Sequence, residues 1–266
     1  MIIKEEVIIQ GMPCRLYGDK SAERIVFWFT GVHERDSVAG VCEHLWKHAG
    51  QEPFLMVICE VEHWNDQLSP WYAEAIYGTE DFAGKGKETL NWLQEACIPY
   101  LEQQYHILEK PGQLFTGGYS LAGLFALWAF YELDIFTGVA ACSASLWFPH
   151  WAEYVREHTI RPGSLIYLSL GMKEEKTRNA VMATVGDATR SLYREYCSDP
   201  RVAETVLEWN PGNHFTQPDE RVFKGFAWLL DHNSRKNFGY KEYGKKRETN
   251  ISAAEKRNAA YYEGSR

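Results

Sequence analysis

The chain has 266 residues and a formal net charge of −8, and 45% of its residues are hydrophobic. This length suffices for one α/β domain with a sizeable core. The acidic balance argues against nucleic acid as a partner, because phosphate binding needs a basic face. The N-terminus is too short and too charged for a secretory signal, and no apolar stretch approaches the length of a membrane span, so no membrane partner is predicted either.

Six cysteines are scattered along the chain without a C-x-x-C pair, mostly in apolar surroundings. Spacing of this kind is typical of reduced, buried thiols, which predicts a cytoplasmic protein. His44 and His48 have the four-residue spacing of a zincin helix, but Leu45 stands where the zincin glutamate would be. We interpret the two histidines as a surface pair and predict no metal site.

Strand-like and helix-like segments alternate along the chain after an opening hairpin. The two hairpin strands, residues 2–9 and 12–17, flank the turn signal Gln10-Gly11. Further strands are predicted over residues 25–30, 54–61, 113–117, 138–143, 165–170 and 205–209. Helices are predicted over residues 38–49, 88–104, 121–132, 177–197 and 219–231. This order predicts an α/β fold with a mostly parallel sheet, opened by an antiparallel N-terminal hairpin and covered by helices on both faces.

The last segment differs in composition from the rest of the chain. Residues 239–266 carry seven Lys or Arg against four Glu and few aliphatic residues. We interpret residues 1–238 as a single domain without a large cap, and residues 239–266 as a basic C-terminal extension. A poorly ordered terminus and an arm that contacts another copy in a homo-oligomer are the alternatives for that extension.

One serine lies between a short apolar strand and a long apolar helix. Ser120 stands in the segment Gly118-Tyr-Ser-Leu-Ala-Gly123, directly before the helix predicted over 121–132. This is the setting of a nucleophile elbow, G-x-S-x-G, whose sharp strand-to-helix turn exposes a reactive hydroxyl. Ala122 replaces the last glycine of the motif, and a helix N-cap is the alternative role for the serine. The pattern predicts Ser120 as the nucleophile of a hydrolase.

A serine nucleophile needs a base, and the base needs an acid that fixes its tautomer. In α/β-hydrolases both follow the serine along the chain, in loops after later strands. His214 lies among turn-forming residues directly after the last predicted strand, so we predict it as the base, with a capping histidine as the alternative. Glu174 is the preferred acid and Glu175 the second choice, while a solvated charge cluster is the alternative for both.

Two further groups are expected around this serine. The oxyanion of an acyl-transfer intermediate needs backbone donors; we predict the Leu121 amide, together with the Val32 amide or, as second choice, that of Gly31. Aromatic side chains next to these loops are candidates for substrate binding, although packing in the core is the alternative for each. They are Trp71 in the long segment 62–86, Trp147 after the strand 138–143, and Tyr119 in the elbow.

Four segments together resemble the esterase D and enterochelin-esterase-like family of α/β-hydrolases. They are residues 118–127, residues 136–147, and the loops at Gly171 and at Gly212-Asn-His-Phe215. The resemblance covers roughly residues 20–232. It implies an α/β-hydrolase fold, nucleophile and base roles for Ser120 and His214, and an acid within residues 171–176.

The function predicted on this basis is that of a serine carboxylic-ester hydrolase. It would act on a small-molecule ester through an acyl-enzyme and would need no metal or organic cofactor. The same triad could instead serve an acyltransferase. A non-catalytic binding protein with the hydrolase fold is the other alternative.

Overall fold

Eight strands form one sheet through the centre of the protein in the computed structural model, which describes residues 2–50, 52–76, 78–108 and 113–232. The strand order is β1-β2-β4-β3-β7-β8-β9-β10. A separate two-stranded ribbon, β5 with β6, lies between β4 and β7 in sequence. In chain order the strands are β1 (Ile2–Ile9), β2 (Met12–Asp19), β3 (Arg24–Gly31), β4 (Leu55–Val61), β5 (Tyr72–Ala73), β6 (Phe82–Ala83), β7 (Gln113–Tyr119), β8 (Phe136–Cys142), β9 (Ser164–Gly171) and β10 (Val202–Asn210).

The sheet is parallel except at its N-terminal edge. Strands β1 and β2 pair antiparallel around the Gln10-Gly11 turn, and β2 pairs antiparallel with β4. All other neighbouring pairs of the large sheet are parallel. The predicted fold class, a mostly parallel sheet opened by an antiparallel hairpin, is confirmed.

Helices cover both faces of this sheet. They are α1 (Arg35–Ala49), α2 (Trp64–Gln67), α3 (Gly86–Trp92), α4 (Ile98–Tyr105), α5 (Leu121–Glu132), α6 (Trp151–Glu157), α7 (Val185–Ser198) and α8 (Pro218–Asp231). Alternate side chains of β3 enter opposite cores, as the two-residue period of a strand requires. Phe27 and Phe29 pack with α3 to α7, whereas Val26 and Trp28 pack with α1 and α8.

Two predicted helices differ from the structure. The helix expected over 177–197 begins only at Val185, because the Asn179 side chain accepts the amide hydrogens of Val181 and Met182 and forms a turn instead. The helix expected over 88–104 is divided by a π-helical turn, Leu93–Cys97, just before Pro99, which has no N–H to donate.

Residues 233–266 lie outside the described residues, so the predicted basic extension and the domain division stay predictions. Between β8 and β9 the chain forms one short helix, α6. All six cysteines are free thiols, and five of them are buried. Over the described ranges, none of the helices has both the length and the apolar character required to cross a membrane.

Candidate active site

Ser120 lies at a strained turn between β7 and α5. Its backbone has φ 57° and ψ −123°, a conformation that a non-glycine residue rarely adopts. The turn is also tightly packed: a Cβ added at Gly118 would lie 2.8 Å from the Ala122 Cβ, and one added at Gly123 would lie 2.9 Å from the Gly118 carbonyl oxygen. The Ala122 methyl group is therefore accommodated because position 118 is glycine. Ser120 makes no side-chain hydrogen bond that caps α5.

The Ser120 hydroxyl instead faces an imidazole ring. Ser120 Oγ lies 3.0 Å from His214 Nε2, and His214 Nδ1 lies 2.7 Å from Glu174 Oε2. Glu174 follows β9 and His214 follows β10. The carboxyl ends of these parallel strands lie at the same edge of the sheet as the end of β7, which Ser120 follows. When the imidazole carries its proton on Nδ1 and donates a hydrogen bond from there to the carboxylate, Nε2 can accept the proton of the serine.

The two neighbouring glutamates have different partners. Glu174 is buried and binds His214, whereas Glu175 is half-buried and lies 2.5 Å from the Arg190 Nη2. Arg190 also binds Asp187, so Glu175 belongs to an ion-pair group at the start of α7. Of the two candidate acids, the structure therefore brings only Glu174 to the histidine.

The surroundings of Glu174 favour its ionised form. Burial by itself would raise the pKa of this carboxyl. The hydrogen bond and charge of His214, together with the Gly171 amide at 2.7 Å and the Ser143 hydroxyl at 2.8 Å, more than offset burial and lower the pKa below its ordinary value. Glu174 is thus a carboxylate at neutral pH and can hold the imidazole in one tautomer.

A buried arginine on α8 joins the acid to the histidine loop. The Arg221 Nη1 donates to Glu174 Oε1 at 2.7 Å and to the Ser143 hydroxyl at 2.9 Å. Its Nη2 donates to the carbonyl oxygens of Pro211 at 3.0 Å and Asn213 at 2.8 Å. Because Arg221 is only 1% exposed, its charge is balanced by these partners instead of by water.

Sequence reasoning did not single out Arg221, although a signal was present. The apolar stripe of α8 repeats at three- and four-residue intervals through Val222, Gly225, Phe226 and Leu229. Arg221 falls on this same stripe and is buried with it. A charged residue on the apolar face of a helix next to a predicted catalytic loop could have been recognised from the sequence.

Replacing this arginine is expected to destabilise the protein strongly. In Arg221→Met the buried carboxylate of Glu174 loses its cationic partner, which should lower the free energy of unfolding by about 3–5 kcal/mol. Urea denaturation measures this change. Arg156→Met is the control, because Arg156 is 62% exposed and its pair with Glu153 is worth at most about 1 kcal/mol. Equal losses in the two variants would contradict the buried ion pair.

The predicted oxyanion donors lie at the ends of adjacent strands. Trp28 of β3 is level with Gly117 of β7, so Gly31 and Ser120, each three residues further on, reach the same edge. The amide of Gly31 is already bound to Glu34 Oε2 at 3.1 Å. The Val32 amide begins a 3₁₀ turn, Val32–Glu34, and has no acceptor within that turn.

Leu121 is the first residue of α5, so its amide likewise has no acceptor within its helix. Both preferred amides, those of Val32 and Leu121, thus begin helical turns at this edge and have no acceptor within their own turns. The amide of Gly31, the second choice, is occupied by a carboxylate.

The three aromatic candidates have different surroundings. Tyr119 is buried, and its hydroxyl donates to the His214 carbonyl oxygen at 2.5 Å and accepts from Arg221 at 3.0 Å. Burial, as the largest cause, also raises the pKa of this phenol. This placement makes Tyr119 a support of the histidine loop, and its contact with substrate stays a prediction.

Trp71 and Trp147 belong to one aromatic cluster with Phe82, Phe148 and Trp151. The indole Nε1 of Trp71 donates to the Pro149 carbonyl oxygen at 2.9 Å, which fastens the long segment 62–86 to the segment after β8. That second segment reaches the serine, since the Ser145 amide donates to the Ser120 carbonyl oxygen at 3.1 Å. The cluster therefore lies next to the elbow.

The histidines that mimic a zincin motif have other partners. The His44 ring stacks on Phe223 with ring centroids 3.7 Å apart, and His48 Nε2 lies 3.0 Å from Asp231 Oδ1. Within the described part of the chain, no group of three or more His, Cys, Asp or Glu side chains is arranged to hold a metal ion.

Comparison of the sequence with known proteins gives one distant relative. No family model matches the chain. It is 25% identical over 146 residues to the uncharacterized protein YbbA of Bacillus subtilis. The match covers 53% of this chain and 58% of that protein, so the chain matches less than two thirds of its relative.

Solved structures match much more of the chain. The siderophore hydrolase EstA from Aspergillus nidulans superimposes with a TM-score of 0.69 at 14% identity, covering 86% of this chain and 94% of EstA. An IroE-like serine hydrolase from Shewanella oneidensis gives a TM-score of 0.71 at 14% identity, covering 86% of this chain and 80% of that protein. Together with the strand order and the turn at Ser120, these matches show that the chain has the α/β-hydrolase fold of siderophore esterases and IroE-like serine hydrolases.

Proposed function

We propose that this protein is a serine carboxylic-ester hydrolase in which Ser120 is the nucleophile, His214 the base and Glu174 the acid. The observation that carries the proposal is the continuous set of hydrogen bonds from Ser120 Oγ through the imidazole to the buried carboxylate. Similarity in fold to EstA and to the IroE-like serine hydrolase supports it.

The proposed reaction proceeds through an acyl-enzyme. His214 takes the proton of Ser120 as Oγ attacks the ester carbonyl carbon, and the amides of Leu121 and Val32 donate to the oxyanion that forms. The imidazolium then gives its proton to the leaving alcohol. Water, deprotonated by the same histidine, attacks the acyl-enzyme. The imidazolium then returns this proton to Ser120 Oγ as the bond to the acyl group breaks and the acid leaves.

We also infer a small-molecule ester as the substrate and the cytoplasm as the compartment. The short connection between β8 and β9, which holds only α6, supports an open cleft above Ser120. The aromatic cluster around Trp71 and Trp147 supports an apolar or aryl group on the substrate. The six free thiols support a reducing compartment.

Reaction with a fluorophosphonate tests the proposal directly, because such reagents phosphonylate only activated serines. Mass mapping should locate one modification, on the peptide that contains Ser120. Ser120→Ala and the heat-denatured protein should both stay unmodified. Folded protein that carries no label on Ser120 would contradict the assignment.

A further inference from the structure

The turn that carries the Val32 amide is held together by one carboxylate. The Gly31 amide donates to Glu34 Oε2 at 3.1 Å, and the Ser37 hydroxyl donates to the Glu34 carbonyl oxygen at 3.0 Å. The side chain of Glu34 thus reaches back over the turn and binds the residue that precedes it. Val32 lies inside the loop that this hydrogen bond closes.

The side chains of this turn make one ring contact, that of His33 with Trp64. None of the residues Val32–Glu34 is fully buried: Val32 is 50% exposed, whereas Glu34 is half-buried. Helix α1, which follows at Arg35, has no side-chain hydrogen bond at its N-cap. The hydrogen bond from Gly31 to Glu34 is therefore a main constraint on where the Val32 amide points.

The charge of Glu34 is sensitive to pH near neutrality. Burial, as the largest cause, raises the pKa of this carboxyl to about 7, and the bond from the Gly31 amide offsets burial only in part. Asp219 at the start of α8 is the charged group whose field reaches Glu34, and it raises the pKa further. Of the two residues next to Glu34 in the chain, His33 packs against Trp64 and Arg35 pairs with Glu60, so neither side chain binds Glu34.

We propose that Glu34 is a positioning residue for the oxyanion site: its ionised carboxylate binds the Gly31 amide and so holds the Val32 amide toward the substrate carbonyl. This inference rests on the proposed function of Ser120. A carboxylate accepts a stronger hydrogen bond than a neutral carboxyl does. The turn is therefore held firmly above neutral pH and loosens as Glu34 takes up a proton.

Two variants separate the hydrogen bond from the charge. Glu34→Gln keeps an oxygen that can accept the Gly31 amide hydrogen but cannot ionise, whereas Glu34→Ala removes the acceptor. We expect kcat at pH 8 to fall less than about threefold in Glu34→Gln and by about tenfold or more in Glu34→Ala, with KM within about twofold in both, because the lost contact acts on the transition state. Asp36→Asn is the matched control, because it removes the charge of an exposed carboxylate on the next helix, α1.

The pH dependence provides a measurement that a purely structural role would not change. The ratio of kcat/KM in the unmodified protein to kcat/KM in Glu34→Gln should be highest above neutral pH and should fall toward one as Glu34 takes up a proton, because the protonated carboxyl is neutral like the amide. The ratio between the unmodified protein and Asp36→Asn should stay constant over the same pH range. Circular dichroism verifies that each variant is folded, and Glu34→Gln decides the result if Glu34→Ala does not fold.

Two results would overturn the inference alone: a ratio of kcat/KM between the unmodified protein and Glu34→Gln that does not change with pH, or a kcat in folded Glu34→Ala within twofold of the original, each with Ser120 still labelled by fluorophosphonate. Absence of the label on Ser120 in the unmodified protein would overturn the proposed function, and the inference with it.

Discussion

Ser120→Ala should lower kcat for a short p-nitrophenyl ester by on the order of 10⁴–10⁶-fold, because no acyl-enzyme can form without the hydroxyl. KM should change little, since the oxyanion amides and the cleft stay in place. The residual rate then measures the catalysis that the oxyanion amides and substrate binding provide when water is the nucleophile. Initial rates with the purified variant, at a concentration high enough to detect slow turnover, provide the measurement.

Ser145 provides the matched comparison for this experiment. Its hydroxyl lies 3.5 Å from Ser120 Oγ, so it is a second hydroxyl beside the proposed nucleophile, and it is buried. We expect Ser145→Ala to lose at most about tenfold in kcat, since Ser120 alone is within hydrogen-bond distance of His214 Nε2 in the described structure. A larger loss in Ser145→Ala than in Ser120→Ala would show that the nucleophile is wrongly assigned.

Exchanging the two neighbouring glutamates for glutamine should produce very different losses. Glu174→Gln replaces the carboxylate that accepts from His214 Nδ1 with an amide that can present an N–H there, which favours the wrong tautomer. A loss of about 10⁴-fold in kcat is expected by analogy with other triads. Glu175→Gln should lose less than about threefold, because Glu175 pairs with the half-buried Arg190, whereas the imidazole binds Glu174.

Both variants are nearly isosteric with the original protein, so each serves as the control for the other. Thermal unfolding should be recorded in parallel, since Glu174 also binds Arg221 inside the protein. A larger kcat loss in Glu175→Gln than in Glu174→Gln, with both proteins folded, would show that the acid is not Glu174.

The sequence predicted those parts of the site whose position follows from local pattern. Ser120 lies between an apolar strand and a helix, and that helix spans Leu121–Glu132 as expected, because ten of its residues are buried and none breaks the helix. His214 follows a strand and four turn-forming residues, which fixes it at the carboxyl edge of the sheet. These features depend on near neighbours in the chain.

Other features depended on contacts between distant segments. Glu174 and Glu175 share one 3₁₀ turn, and which of them faces the histidine depends on the direction of that turn over β9. Asn179 delays the start of the expected helix through bonds to the Ile76 carbonyl oxygen, 103 residues away, and to two nearby amides. Neither outcome is encoded in periodicity or composition, since both depend on partners that the fold brings together.

The guanidinium of Arg221 has a consequence for how the site can move. It binds the end of β7 through Tyr119, the residue after β8, the acid after β9 and the loop after β10. Four segments that leave the sheet separately thus bind one buried charge. Displacing any of them would expose that charge to water or leave it without one of its partners. We therefore expect their amides to exchange with deuterium together, as one cooperative unit. Substrate would have to enter a site that is already assembled.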